Sequence, residues 1–435
     1  MPATMPPEPI EHRRLDCGVE LAVMAMPERP VVAMMIRLLA GYAFEQPEHL
    51  GVAHVLEESL SKGTARRNGR ELNDAFDAIG ATHSSYAGRE TVGFLCTCLP
   101  EFTAQALALH AEMIRTPSFP EDACRTGVEL TRQALAALED DPGELVRKLL
   151  HRHAYGPPLD RHLFGEKQTL DGIDRSSVVA HHERLFAADR MHVAVAGAVD
   201  PSRIAEQIDR AFEGFAPPPD AARQTPGAQA GTDGRWPLQF LSGLWHYDKQ
   251  LEQQHIAICF PCSAVTDEDF PVEQVLVAVL SGGMSSRLFT EVREKLGLVY
   301  WVGAWADHPR AGGMLHLGAS TTPQRADQTY ATLLREVDRV SEDLTADELD
   351  RAITGLVTAI QTRGDVARAR ATRMADDMFY HGRPIATAEK IARIRAVTTE
   401  DIARYLQRHR RDRLGVVTLG PRRLDTEGVD PERGQ

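Results

Sequence analysis

Residues 76–86 read FDAIGATHSSY and residues 292–302 read VREKLGLVYWV. In each, a helical pattern runs into one glycine, Gly80 or Gly297, and then into alternating apolar and polar residues. Glycine stops a helix because it takes the left-handed backbone that a helix C-terminus favours. Alternation with a period of two marks a half-buried strand. The glycines are 297 − 80 = 217 residues apart. A second pair of segments, SSVVAHHERLFAADRMHVAVAGAVD (176–200) and TTEDIARYLQRHRRDRLGVVTLGP (398–421), reads as a capped helix, an Arg-containing turn and an apolar strand that ends near a glycine. Gly197 and Gly420 are 420 − 197 = 223 residues apart. Two similar offsets predict a duplicated domain.

Each half is expected to open its sheet with an apolar strand, VVAMMIRLLAG (31–41) or QHIAICFPC (254–262). The helices HLGVAHVLEESLSKG (49–63) and FPVEQVLVAVLSG (270–282) follow. Strands and helices do not alternate strictly. The fold class is therefore α+β, with two homologous domains, each a mainly antiparallel sheet with helices on one face. The Pro-, Gly- and Ala-rich run around 215–236 reads as a linker between domains at 1–214 and 237–420, with a charged tail at 421–435.

The chain has 435 residues, enough for two domains, and its charge is 49 − 62 = −13. An apolar fraction of 43% argues against disorder of the bulk of the chain. The acidic balance argues against nucleic acid, and no apolar run is long enough to cross a membrane. The start, MPATMPPEPIEHRRLDCGVELAVM, has no basic-then-apolar pattern, and six cysteines in this length form no disulfide framework. A cytoplasmic location is expected, or a periplasmic one if a leader has been removed.

His54, Glu57 and Glu58 stand at i, i+3 and i+4 of a helical pattern, so they share a face. One imidazole and two carboxylates suit a metal or acid–base cluster, and a solvated helix face gives the same spacing. Arg293 and Tyr300 flank the Gly297 stop, 300 − 293 = 7 residues apart. An Arg can hold a carbonyl with a charged planar fork, and a Tyr hydroxyl can donate to an oxyanion. A surface Arg beside a core Tyr is the plainer alternative. Cys259 and Cys262 have C-x-x-C spacing with no second pair, and Cys96 and Cys98 share a strand face; all four read as buried small residues. The pairs His151/His153 and His181/His182 lie in charged helical stretches and are expected to be solvated. Ser281-Gly282-Gly283 lacks the lysine of a phosphate loop.

The stretch 49–91, HLGVAHVLEESLSKGTARRNGRELNDAFDAIGATHSSYAGRET, resembles the pitrilysin and mitochondrial-processing-peptidase family of zinc peptidases, whose inverted zinc motif is H-x-x-E-H. The Lys62-Gly63-Thr64 turn, the EDDP turn at Glu139–Pro142 and the segment GGMSSRLFTEVREKLGLVYWVGAW carry the likeness over nearly the whole chain. The resemblance implies that His54 matches the first zinc ligand and Glu57 the residue that polarises the attacking water. The second ligating His falls on Glu58. The third ligand, a Glu eight positions before the EDDP proline, falls on 142 − 8 = 134, which is Ala134, at 134 − 58 = 76 residues from Glu58. His83 matches an Asn that contacts substrate backbone. Arg293 and Tyr300 match a pair that holds substrate at a partner's zinc.

With one ligand unchanged, Glu58 able to ligate through oxygen and Ala134 unable to ligate, the zinc site is expected to be degenerate, with weak zinc at most and Glu57 a vestigial base. Glu129 or Glu139 would be the replacement ligand if one exists. The chain is thus expected to be the non-catalytic, peptide-binding subunit of a heterodimeric zinc metalloendopeptidase. It would bind no cofactor itself, and its partner would carry the intact motif. A self-sufficient H-x-x-E-E peptidase, a purely structural core subunit like those of respiratory complexes, and a homodimer are the alternatives.

Overall fold

The computed structural model describes residues 9–215, 235–364 and 366–425. Most of the expected linker and the end of the tail lie outside the described residues. The rest forms two compact units. The first sheet contains β1 (Ile10–Arg14), β2 (Glu20–Ala25), β3 (Val32–Leu38), β4 (Thr82–Ala87), β5 (Val92–Cys98) and β6 (Met191–Gly197), in the order β1-β2-β6-β3-β5-β4. The second contains β7 (Gly243–Tyr247), β8 (Gln254–Cys262), β9 (Val299–Asp307), β10 (Gly313–Thr321) and β11 (Gly415–Leu419), in the order β7-β11-β8-β10-β9.

Without β1, the two orders are the same, strand for strand. In each, one pair is parallel (β2 with β6, β7 with β11) and the other neighbours are antiparallel. The matched glycines also share backbone conformations: φ is +59° at Gly80 and +58° at Gly297, and +137° at Gly197 and +147° at Gly420. These are left-handed values that a side chain rarely adopts, so glycine is required at both copies of each stop. The chain is an α+β protein built from two copies of one topology. The strands at 31–41 and 254–262 do not come first in their sheets, since β1 and β2 precede one and β7 precedes the other.

The helices are α1 (Val52–Leu60), α2 (Gly69–Ala78), α3 (Thr103–Arg115), α4 (Glu121–Ala137), α5 (Pro142–Ala154), α6 (Lys167–Leu170), α7 (Arg175–Leu185), α8 (Pro201–Phe212), α9 (Phe270–Ser281), α10 (Ala326–Asp343), α11 (Ala346–Gly364), α12 (Ala367–His381), α13 (Thr387–Arg395) and α14 (Thr399–Arg408). Caps set several starts. Asn68 and Glu71 exchange side-chain and backbone bonds at α2, Asp174 and Ser177 do so at α7, and Thr398 and Asp401 at α14.

In the first unit α1, α3 and α8 lie against the sheet, and α12 packs on β2, β3 and β6 through a layer of small and flexible side chains: Ala22, Met24, Ala33, Met35, Ala194 and Ala196 beneath Ala371, Met374, Ala375 and Met378. The intervening residues Leu21, Val23, Ile36, Val193 and Val195 point to the other face, as the period of two requires, and are also buried. One helix therefore covers a sheet face that the sequence pattern left bare. The second unit uses α5 in the same way, against β8 and β11. The cuts at Ala137, Asp160, Thr362 and Thr387 give residues 138–160, with α5, to the second unit and residues 363–387, with α12, to the first. Each unit thus takes one helix from the sequence half that builds the other. No helix among the described residues is long and apolar enough to cross a membrane.

Candidate functional site

The helix α1 is held at its start by a buried carboxylate from outside it. Glu45 accepts the backbone N–H of Gly51 at 2.9 Å and of Ala53 at 2.8 Å, satisfying donors that a helix start leaves open. Burial pushes the Glu45 carboxyl up to about 8, although these N–H groups and the nearby Arg161 and Arg184 oppose the shift. Val55, Leu56 and Leu60 fill the core, which turns His54, Glu57 and Glu58 together toward a half-buried surface. One ligand atom from each lies within 4.8 Å of the others.

Two neighbours prepare this group. Thr131 on α4 donates its hydroxyl to the Gly127 carbonyl at 2.7 Å, so its oxygen accepts from Nδ1–H of His54 at 2.8 Å. The free lone pair of His54 is therefore on Nε2, the tautomer a metal ligand needs. Burial lowers the His54 pKa, against the pull of Glu58, which keeps the ring neutral. Ser85 on β4 donates a short hydrogen bond to Oε1 of Glu57. Burial raises the Glu57 pKa, Ser85 and Lys62 oppose the rise, and Glu58 adds to it.

Ala134 lies one helical turn beyond Thr131 on the same face of α4 and presents only a methyl group. Glu129 is turned to Arg132 at 2.7 Å, and that Arg also binds Asp171 at 2.8 Å. Glu139 is paired with Lys249 in the second unit. Neither joins the group. The donor set therefore falls short of a catalytic zinc centre. If His54, Glu57 and Glu58 all ligate, no carboxylate is left to activate water; if Glu57 is reserved for water, only two ligands remain.

His83 is not in the group. Its ring stacks on Phe76 with centres 4.0 Å apart and meets His110 edge-on at 6.2 Å. Burial lowers its pKa, against Asp77. The residue of β4 that does reach Glu57 is Ser85, two positions on and so on the same strand face. Period-two counting from His83 would have found it. Thr131 and Glu45 had no sequence signal, because their roles depend on chain segments brought together by folding.

In the second unit, Arg293 on the π-helical segment Leu288–Lys295 and Tyr300 on β9 do meet. The guanidinium lies 5.9 Å from the Tyr300 ring centre and 4.9 Å from that of Phe289. The Gly297 stop turns the chain back so that two residues seven apart face each other. Tyr300 is 75% exposed, so its hydroxyl is open to a ligand. β9 is an edge strand, with one row of backbone groups unpaired within its sheet.

The expected solvation of four histidines is corrected. His181 and His182 are buried, and His182 Nε2 lies 2.8 Å from the Ile114 carbonyl. The face of α7 that carries them turns inward despite its charged flanks. His151 stacks on Tyr155 with centres 4.5 Å apart, and His153 on Trp245 at 4.6 Å. Cys96, Cys98, Cys259 and Cys262 are all buried, as expected.

Two family models match the chain: Insulinase (Peptidase family M16) over residues 21–167 and Peptidase M16 inactive domain over residues 172–356. The chain belongs to this family of zinc metallopeptidases, which includes pitrilysin and the mitochondrial processing peptidases. It is similar to an uncharacterized zinc protease of Rickettsia bellii, 26% identical over 413 residues that cover 94% of this chain and 97% of the relative. It is also similar to the probable mitochondrial-processing peptidase subunit beta of Arabidopsis thaliana, 24% identical with 88% and 73% covered. Among solved structures, a peptidase M16 inactive domain from Pseudomonas fluorescens matches with a TM-score of 0.84 at 20% identity, over 96% of this chain and 99% of that one. At that identity the match speaks to fold alone.

Proposed function

We propose that this chain is the non-catalytic, peptide-binding subunit of a two-component zinc metalloendopeptidase. Its partner would be a homologous subunit with an intact H-x-x-E-H, and Arg293 and Tyr300 would act at that partner's zinc. The observation that carries this reading is the contrast within one chain: an exposed, paired Arg293 and Tyr300, against a metal position with Glu58 for a ligating His and Ala134 for a ligating Glu. An extended peptide would add along a sheet edge, its main chain supplying affinity. Arg293 would hold a peptide carbonyl, and the Tyr300 hydroxyl would donate to the oxyanion as the carbonyl becomes tetrahedral.

One observation favours a second reading, a self-sufficient peptidase. His54 is held in the ligating tautomer next to Glu58, an arrangement a wholly discarded site would not require. Two variants separate the readings. Glu57→Gln in this chain, assembled with the partner, is expected to leave peptide turnover within about twofold of wild type. Arg293→Ala should lower kcat/KM by about 100-fold. The reverse pattern would establish the chain as its own catalyst. If neither variant changed turnover, the role would be structural.

A further inference from the structure

We propose that Cys262, Glu273 and His308 in the second unit form a binding site for a divalent transition-metal ion of the zinc type, distinct from the His54 group. The three side chains come from three elements: the end of β8, the first turn of α9 and the residue that follows β9. Their ligand atoms lie within 4.8 Å of one another. Glu273 is 1% exposed, and Cys262 is also buried.

The surroundings of Glu273 are those of a metal-site carboxylate. Its Oε2 accepts from the Ser263 backbone N–H at 2.9 Å, the Ser263 hydroxyl at 2.5 Å and the Tyr405 hydroxyl at 2.8 Å. These bonds fix the group and turn Oε1 toward Nε2 of His308, 2.7 Å away. Outer partners that orient a ligand in this way are typical of metal centres. Burial alone would raise the Glu273 pKa, but the bonds from His308, Ser263 and Tyr405 outweigh it, and the carboxyl stays ionised. Gly313 makes room: a Cβ there would lie 2.8 Å from Cys262 Sγ and 2.8 Å from His308 Cδ2.

The donor set is one sulfur, one imidazole nitrogen and one carboxylate oxygen, which suits Zn²⁺ in a tetrahedron with one place left for water. Bonds of about 2.0–2.3 Å put tetrahedral ligands roughly 3–4 Å apart, a small adjustment from the present positions. A thiolate and a carboxylate would balance the ion's two charges. Burial first, and Glu273 second, keep the Cys262 thiol protonated without a metal. Uptake therefore breaks the S–H of Cys262 and the Nε2–H that His308 donates to Glu273, and forms S–Zn and N–Zn; the thiol proton goes to solvent, and the ring's one proton is exchanged through solvent to Nδ1.

Another group with the same apparent credentials fails on geometry. His151, Asp307 and His316 also converge, but the two imidazoles stack 5.5 Å apart at 14°. A bound metal lies in the plane of each imidazole that ligates it, and two stacked planes share no such point. The C-x-x-C spacing likewise makes no chelate. Cys259 and Cys262 are three apart on a strand and project to opposite faces. The partners of Cys262 come instead from 273 − 262 = 11 and 308 − 262 = 46 residues on.

The competing reading is a buried His–Glu ion pair beside an inert thiol. The full chain carrying His54→Ala, which silences the other group, distinguishes the two when titrated with Co²⁺ and then Zn²⁺. One Co²⁺ per chain is expected, with a near-ultraviolet thiolate-to-cobalt band and the intense visible bands of a four-coordinate ion, all bleached by Zn²⁺. Cys262→Ser should abolish the near-ultraviolet band, and His308→Gln should weaken uptake by about 100-fold. If Cys262→Ser does not fold, as judged by circular dichroism, the His308→Gln chain decides alone. Absence of the near-ultraviolet band, or a band unchanged in a folded variant, would overturn the proposal.

Discussion

The helices α1 and α9 occupy the same place in two copies of one topology, and only α1 carries the His54, Glu57 and Glu58 group on its half-buried face. Aligning Val55-Leu56 with Val275-Leu276, an offset of 275 − 55 = 220, puts Gln274, Val277 and Ala278 where the first copy has His54, Glu57 and Glu58. All four of the aligned Val and Leu residues are fully buried. The core face has thus been kept while the other face has diverged, because packing constrains volume and leaves solvent-facing positions free. The second unit has its exposed Arg293–Tyr300 pair elsewhere, at the Gly297 stop. The two copies therefore differ in what surrounds a shared frame, and substitutions on the exposed faces test that difference with little cost to the fold.

The largest effect is expected at the second unit. Tyr300→Phe removes one hydroxyl from a residue that is mostly exposed. Stability should change by less than about 0.5 kcal/mol. Turnover by the assembled pair should fall by about 100-fold or more, mainly in kcat, because the bond is made to charge that develops in the transition state. A fall confined to KM would mean that Tyr300 binds peptide without contributing to the chemical step.

The next effect is a gain at the first unit. Glu58→His with Ala134→Glu would supply both ligands that the position lacks, on helices that already hold His54 in the ligating tautomer. Zinc retained after dialysis should rise, with affinity higher by on the order of 100-fold or more. The count is made in a Cys262→Ser background, so that the second unit does not contribute. If the unmodified position already retains zinc in that background, the contrast between the units is smaller than the ligand count implies.

Acid should separate the units. Burial lowers His110 to about 4, His181 to about 3 and His182 to about 4, and all three are in the first unit. An unfolded histidine takes up a proton below about 6.5. As pH falls from there toward 4 the unfolded state binds more protons than the folded one, so stability is lost. Glu45, raised to about 8, works in the opposite sense between about 4.5 and 8, one group against three. Between pH 7 and pH 5, amide exchange corrected for its intrinsic rate should accelerate more in β3 and β6 than in β8 and β10. Equal acceleration would show that the buried histidines do not set the acid limit.

Much of this was legible in the sequence. The glycine stops and capped helices gave the repeat, because local backbone rules act on neighbours in the chain. The i, i+3, i+4 spacing gave the shared face of His54, Glu57 and Glu58, whereas Arg293 and Tyr300 were picked out by the family resemblance of the segment around Gly297, their spacing alone fitting a surface Arg and a core Tyr. What was not legible depends on distant segments. Thr131 is 77 residues from His54, with no periodicity that would link them, and Ser85, 28 residues from Glu57, could be found only by counting along β4 from His83. The exchange of α5 and α12 between the sequence halves was hidden for the same reason: an amphipathic helix does not say which sheet it covers. His181 and His182 were misread because charge around a helix does not fix which face turns inward.

The smallest effect is at Thr131. Its hydroxyl is buried, donates to Gly127 and accepts from His54. Thr131→Val keeps the shape and removes both bonds, which should cost about 1 kcal/mol in urea unfolding. The sharper readout is the imidazole. Without an acceptor at Nδ1, His54 should shift toward the tautomer protonated on Nε2, visible in its ring nitrogen chemical shifts. In the chain with Glu58→His and Ala134→Glu, the same change should lower zinc affinity by about 10-fold, because the outer partner that orients a ligating histidine is lost. If the tautomer does not move, Thr131 does not set the proton, and the preparation of His54 does not come from α4.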